Sequence, residues 1–156
     1  MLFRSKYVSR WVYERLTDSS GTTFPRSLSI LLTGAKEQEL SYQGKSSIQT
    51  PIDRLLRSKS LEIGLKKASE KRCDEIKEEY CHLTKFFDSL KHKSALLPKD
   101  ELHSIWQESA QDIADFEEFT SFLTEIGIIE WRERDKRYKF ADIYVYGFDM
   151  IRQGAV

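Results

Sequence analysis

The sequence predicts a mainly α chain with one small β-hairpin near its C-terminal end. Three observations carry this. Apolar residues recur at helical spacing through most of the chain. Pro, Ser, Asp and Gly stand where helices start and stop. The period turns from helical to alternating after Gly127.

The first helix is expected over residues 3–17. Phe3, Tyr7, Val8, Trp11, Val12 and Leu16 fall mostly on one face, with Arg4, Lys6, Arg10 and Arg15 largely elsewhere. Asp18-Ser19-Ser20-Gly21 then breaks the chain. A second helix opens at Thr22-Thr23-Phe24-Pro25-Arg26, because proline suits a first helical turn whose N–H has no partner. Leu28, Leu31, Leu32 and Ala35 carry its apolar face to about Leu40. The two helices are expected to pack on each other as a hairpin over residues 1–44.

Residues 41–49 are polar, hold Gly44 and read as a loop. Thr50-Pro51 opens a short helix through Ile52, Leu55 and Leu56. Residues 45–68 form a connector, and residues 54–72 are locally basic, with Arg54, Arg57, Lys59, Lys66, Lys67, Lys71 and Arg72 against Glu62 and Glu70. Ser69 is a suitable N-cap for a long helix to about Lys91. Its stripe of Cys73, Ile76, Tyr80, Leu83, Phe87 and Leu90 is the strongest periodicity in the chain. It predicts a helix packed lengthwise on others or on a second copy.

The third region spans residues 69–150. Pro98 starts a short helix that buries Leu102, Ile105 and Trp106. Asp115-Phe116-Glu117-Glu118 has the form of a capping box. The helix behind it buries Phe116, Phe119, Leu123 and Ile126 and ends at Gly127, where a left-handed cap is wanted. Ile129 and Trp131 then alternate with Glu130 and Arg132, and Tyr138 and Phe140 with Arg137 and Lys139, across the turn Glu133-Arg134-Asp135-Lys136. Helices followed directly by such a hairpin have the order of a winged helix-turn-helix. Ile143, Tyr144, Val145 and Tyr146 have strand propensity. Asp142 nonetheless suits a helix cap, and we read residues 142–150 as helical.

Composition bounds the function. The chain has 156 residues, enough for one domain or a small domain with an appended helical piece. Lys+Arg and Asp+Glu are 25 each, so any nucleic-acid role needs a local patch. No apolar run approaches the ~20 residues of a membrane span, and no membrane partner is expected. The two cysteines, Cys73 and Cys81, give no disulfide framework, and no signal peptide is seen. The chain therefore reads as cytoplasmic with free thiols.

Residues 21–35, 69–80 and 119–147 together resemble the C-terminal region of certain bacterial P-loop ATPases of the AAA+/STAND type. The residues that carry this are Phe24-Pro25-Arg26, the run Phe122-Leu123-Thr124-Glu125-Ile126-Gly127-Ile128-Ile129, and Arg137-Tyr138-Lys139-Phe140-Ala141-Asp142-Ile143-Tyr144. The resemblance implies a helical lid followed by a winged helix, with Arg26 in a nucleotide-sensing role. It also implies that the chain is the C-terminal part of an ATPase, or a split remnant of one. The chain departs from the family in lacking Walker A and Walker B motifs. Gly44-Lys45-Ser46 imitates the end of a P-loop, but Glu39 stands where the first glycine is needed. No enzyme activity and no cofactor are expected.

Other chemistry-bearing residues point nowhere specific. Cys73 and Cys81 are too far apart along a helix to share one zinc, about 12 Å of rise. His82, His92 and His103 have no nucleophile–base partner in the pattern. The aromatic set Tyr138, Phe140, Tyr144, Tyr146 and Phe148 reads as core rather than as a stacking platform.

The leading reading is a non-catalytic regulatory or protein-interaction module, docking on a protein partner or on its own ATPase core. The alternative is a domain that binds double-stranded DNA. Its phosphate contacts would come from Arg132, Arg134, Lys136, Arg137 and Lys139 of the wing, with Arg54 and Arg57 from the basic stretch. Against it, the helix at 115–126 fills the slot of a recognition helix yet carries Asp115, Glu117, Glu118 and Glu125 and no cation. A third reading is a homodimer built on the 73–90 stripe.

Overall fold

The computed structural model describes residues 5–45 and 55–152, the side chains of residues 5–7 excepted. The expected short helix at Thr50-Pro51 lies largely outside the described residues. Leu55 and Leu56 form a bend.

Helix α1 covers Ser5–Leu16 and α2 covers Pro25–Gln43. Pro25 occupies the first turn of α2 with extended Phe24 as its N-cap. The turn between them is organised by Asp18. Its carboxylate accepts from the backbone N–H groups of Ser20 and Thr22, both at 2.9 Å, and from the Ser20 hydroxyl at 2.7 Å. α2 runs on through Gln43, so residues 41–43 are helix rather than loop. The P-loop likeness ends there: a helix, not a strand, leads into Gly44-Lys45, and Glu39 is buried inside it.

Helix α3 covers Ser58–Glu79, starting well before the expected cap at Ser69. Ser69 is instead buried mid-helix, where its hydroxyl accepts from the Gly147 N–H at 2.8 Å. The long α2–α3 interface is made of small residues. Ser27, Gly34 and Ala35 are buried on α2, and Ser60, Gly64 and Ala68 on α3. Such side chains let two helix backbones approach closely, and propensity arithmetic along either helix does not reveal that. α3 crosses the expected boundary at residue 68 without a break and packs on α2 and on the C-terminal segment alike.

The expected continuous helix to Lys91 is broken. Tyr80 leaves the helical region at φ −118°, ψ 58°. A 3₁₀ turn Cys81–Leu83 and helix α4, Thr84–Ser89, follow. The apolar stripe survives the break. Cys73, Ile76, Leu83, Phe87 and Leu90 are buried in the core of the same chain, and Tyr80 is half-buried. Phe86 is edge-on to Phe119 at 4.8 Å, and Phe87 stacks on Phe148 at 5.0 Å. Each fully buried ring or leucine of this kind contributes roughly 1.5–3 kcal/mol.

A three-residue strand β1, Leu96–Pro98, precedes helix α5, Lys99–Ser109. Helix α6 is Phe116–Glu125; β2 and β3 are Ile129–Arg132 and Arg137–Phe140; α7 is Asp142–Val145. The sheet is antiparallel in the order β1-β3-β2. Asp115 caps α6 as expected, accepting from the Glu118 N–H at 2.9 Å. Gly127 ends it at φ 76°, with Ile128 N–H donating to Leu123 C=O at 2.9 Å and Gly127 N–H to Thr124 C=O at 3.1 Å. That pair of bonds is a Schellman motif. The fold is thus mainly helical with a small antiparallel sheet. The helical reading of residues 142–150 holds only for the α7 turn, with Ala141 rather than Asp142 as its N-cap.

Candidate interaction surfaces

Four places concentrate exposed chemistry. The first is the start of α2. Arg26 is largely exposed, and its Nη1 lies 3.0 Å from Glu75 Oε1 on α3. Arg72 reaches the other oxygen of Glu75 at 3.7 Å and covers the Phe24 ring at 4.2 Å. Glu75 therefore gathers two arginines and ties the start of α2 to α3.

The basic stretch is partly paired among the described residues, with Lys59 left exposed. Arg57 is turned inward: its backbone N–H donates to Glu39 Oε2 at 3.1 Å, its guanidinium pairs with Glu39 Oε1, and it covers the Tyr42 ring. The Ser60 hydroxyl donates to the same carboxylate at 2.8 Å. Arg57 is thus part of a helix clamp rather than an exposed phosphate contact. Lys67 pairs with Glu37 at 2.8 Å and Lys66 lies 3.8 Å from Glu70. Arg54 lies outside the described residues.

In the hairpin, three of the five cations face carboxylates. Arg132 lies 3.5 Å from Asp135, Lys139 lies 3.2 Å from Glu130, and Lys136 pairs with Glu133. Hydrogen bonds from Lys136 and then from Trp131 hold the Glu133 carboxyl below the usual carboxylate range. Arg134 is exposed at the turn and Arg137 half-buried. Register sorts the two faces. Trp131 pairs with Tyr138 on the face of Ile129 and Phe140, whereas Glu130–Lys139 and Arg132–Arg137 occupy the other.

The third place is the outward side of α6. Glu117, Glu118, Ser121, Thr124 and Glu125 are exposed there, with no cation in the helix. A shallow concavity of about 440 Å³ lies between α6 and the hairpin. Thr120, Ser121, Thr124, Glu125, Trp131 and Tyr138 line it. The Trp131 and Tyr138 rings meet edge-to-face at 4.8 Å, and Trp131 keeps 40% of its surface exposed.

The fourth place is an apolar groove of about 860 Å³ between α1, the start of α2 and the start of α3. Trp11, Tyr13, Phe24, Leu28, Leu32 and Leu55 are among its walls. Leu28 and Leu32 were expected in the α1–α2 core. They are 40% and 44% exposed, while Leu31 and Ala35, one helical step round, take the core face against α3. Helical spacing alone gives both pairs equal claim to burial. The partner helix decides, and it is α3 rather than α1.

Cys73 is buried, and burial raises its thiol pKa well above the ordinary value; Cys81 is exposed. Among the described residues, no group of three His, Cys, Asp or Glu is placed to hold a metal ion. Among the same residues, no helix is long and apolar enough to cross a membrane. The aromatic set divides: Phe140, Tyr144 and Phe148 are core, and Tyr138 and Tyr146 half-buried. No protein-family model, curated protein or solved structure matches the chain.

Proposed function

We propose that this chain is a non-catalytic interaction module that docks on protein, comparable to the C-terminal region of a P-loop ATPase. In this reading the unit from α4 to β3 is a winged helix-turn-helix, and α1 and α2 belong to a helical lid. The order α4-β1-α5-α6-β2-β3 with β3 central supports the winged-helix assignment. The single observation that carries the docking role is the apolar groove. Tyr13, Leu28, Leu32 and Leu55 expose large apolar surface around one concavity, and such patches mark sites that another surface covers. Arg26, at the rim-forming start of α2, is the residue that would sense nucleotide if the lid closes over an ATPase core.

DNA docking through α6 is disfavoured by charge. A helix carrying Glu117, Glu118 and Glu125 outward would meet phosphate repulsion in a major groove. The test has two arms. Fluorescence anisotropy with a labelled DNA duplex at low and high salt is expected to show no tight, salt-sensitive binding. Such binding, lost on Arg134→Glu with Arg137→Glu, would replace this reading with the DNA-binding one. In the second arm, the fluorescence of anilinonaphthalene sulfonate should rise with the native chain and fall with Leu28→Asp combined with Leu32→Asp. No rise with the native chain would mean that the groove is covered, and the docking role would lose its support.

A further inference from the structure

We propose that the shelf between α6 and the β2–β3 hairpin receives a cationic segment of a partner protein, with a Lys or Arg side chain set against Trp131. The proposal rests on the protein-docking reading above and names the chemistry of one partner surface. Three independent features meet at this place. The pleat puts Trp131 and Tyr138 on the α6 side of the hairpin, beyond the core pair Ile129 and Phe140. Trp131 is exposed at the edge of this shelf, and an indole face is the strongest aromatic acceptor for a cation. The neighbouring α6 surface is negative: Glu125 lines the concavity, and Glu118 and Glu117 lie about two turns before it on the exposed side.

Charge sign selects the occupant. Arg132, Arg137 and Lys139 sit on the opposite face of the hairpin, and Lys136 is taken up by Glu133 at its turn, so the Glu125 side of the shelf keeps its negative charge. Glu133, itself paired with Lys136, accepts from Trp131 Nε1 at 2.6 Å and fixes the indole in place. Hydroxyls of Ser121 and Thr124 supply further acceptors for guanidinium or ammonium donors. A polyanion approaching over α6 would meet its carboxylates, whereas a basic peptide would be attracted there and seated on an aromatic floor.

The experiment is a titration of the ¹⁵N-labelled chain with a hexa-arginine peptide, followed by amide chemical shifts. The largest shifts are expected in residues 117–125 and at Trp131 and Tyr138. Glu118→Lys with Glu125→Lys should weaken binding by about tenfold or more, and Trp131→Ala by about fivefold. Glu70→Lys on α3 is the control, because it changes net charge at a different surface. Weakening by Glu70→Lys as large as that by Glu125→Lys alone would mean diffuse attraction and would overturn the proposal. So would shifts centred elsewhere, or no binding at low salt. These failures would leave the apolar groove and the docking reading standing. Duplex DNA shifting the far face of the hairpin would instead refute the docking reading itself.

Discussion

Gly34 and Gly64 stand opposite each other where α2 crosses α3, and the two are not equivalent. A Cβ on Gly64 would lie 2.1 Å from the Leu31 carbonyl oxygen and 3.0 Å from the Ala35 nitrogen. A Cβ on Gly34 would meet the Lys67 Cδ at 2.9 Å and the Gly64 Cα at 3.2 Å. The first obstacle is backbone, and the nearest atom of the second is a flexible side chain. Gly64→Ala should therefore force the helices apart and cost about 3 kcal/mol or more. Gly34→Ala should lie within about 1 kcal/mol of the native chain, because alanine's helix propensity offsets the tighter contact. Thermal melts of the two variants check the contrast, and equal losses would refute the asymmetry.

Gly127 joins α6 to β2 and also receives the Asp18 turn. Ser19 N–H donates to its carbonyl at 2.8 Å, and a Cβ there would sit 2.5 Å from Asp18 Oδ2. Asparagine tolerates the left-handed conformation that Gly127 adopts at φ 76°, so a cap alone would accept it. Both Gly127→Ala and Gly127→Asn are expected to lose about 2 kcal/mol, since either Cβ meets the carboxylate. Chemical denaturation of the two variants decides this; an asparagine variant as stable as the native chain would show that the Asp18 contact yields.

Glu39 is the buried acceptor of the α2–α3 clamp, with Arg57 and Ser60 as donors. Arg57→Ala should cost about 3–5 kcal/mol by leaving a buried carboxylate without its counter-ion. Glu39→Leu combined with Arg57→Met should recover most of that loss, because no unpaired charge remains. Urea midpoints of the single and double variants test it, and the idea fails if the double variant is no better than Arg57→Ala.

Stability should fall at alkaline pH. Burial raises the Tyr144 phenol from 10.0 to about 12, against the pull of the Arg72 guanidinium. The buried Cys73 thiol is likewise raised from its ordinary value of 9.0. A raised folded value means that the unfolded chain gives up its proton first. The contribution is whole below the unfolded values and is lost as pH climbs from about 9 to 12. Tyr144 alone accounts for roughly 2–3 kcal/mol of the decline. Tyr144→Phe keeps the ring and should flatten the upper part of the curve, measured as urea midpoints at pH 8 and pH 11. An unchanged slope in the variant would count against Tyr144 as the titrating group.

Leu83→Glu separates two uses of the apolar stripe. Leu83 is 1% exposed inside its own chain. A carboxylate there should unfold the C-terminal unit, costing about 4 kcal/mol or more. Circular dichroism and sedimentation read the outcome together. A folded monomer replacing a native dimer would restore the stripe to an interface between copies.

Much of this fold was legible in the amino-acid pattern because its signals are local. Pro25 at the start of α2, the Asp115 cap, the Gly127 stop and the alternation through Ile129, Trp131, Tyr138 and Phe140 each depend on neighbours a few residues away. The acidic outward side of α6 was legible for the same reason, since helical spacing places Glu117, Glu118 and Glu125. Tertiary structure alone decided the rest. Strand β1 has three residues and ends in proline, too short for any period, and exists because β3 offers it a partner. Ser69 has the chemistry of a cap, but its hydroxyl is used by Gly147, far away in the chain. Arg57 belonged by composition to a basic patch, and Glu39 turned it inward. Leu28 and Leu32 share an apolar pattern with Leu31 and Ala35, yet α3 covers only the second pair. Periodicity says which residues can be buried, and the close approach of two backbones at Gly34 and Gly64 says which face is chosen.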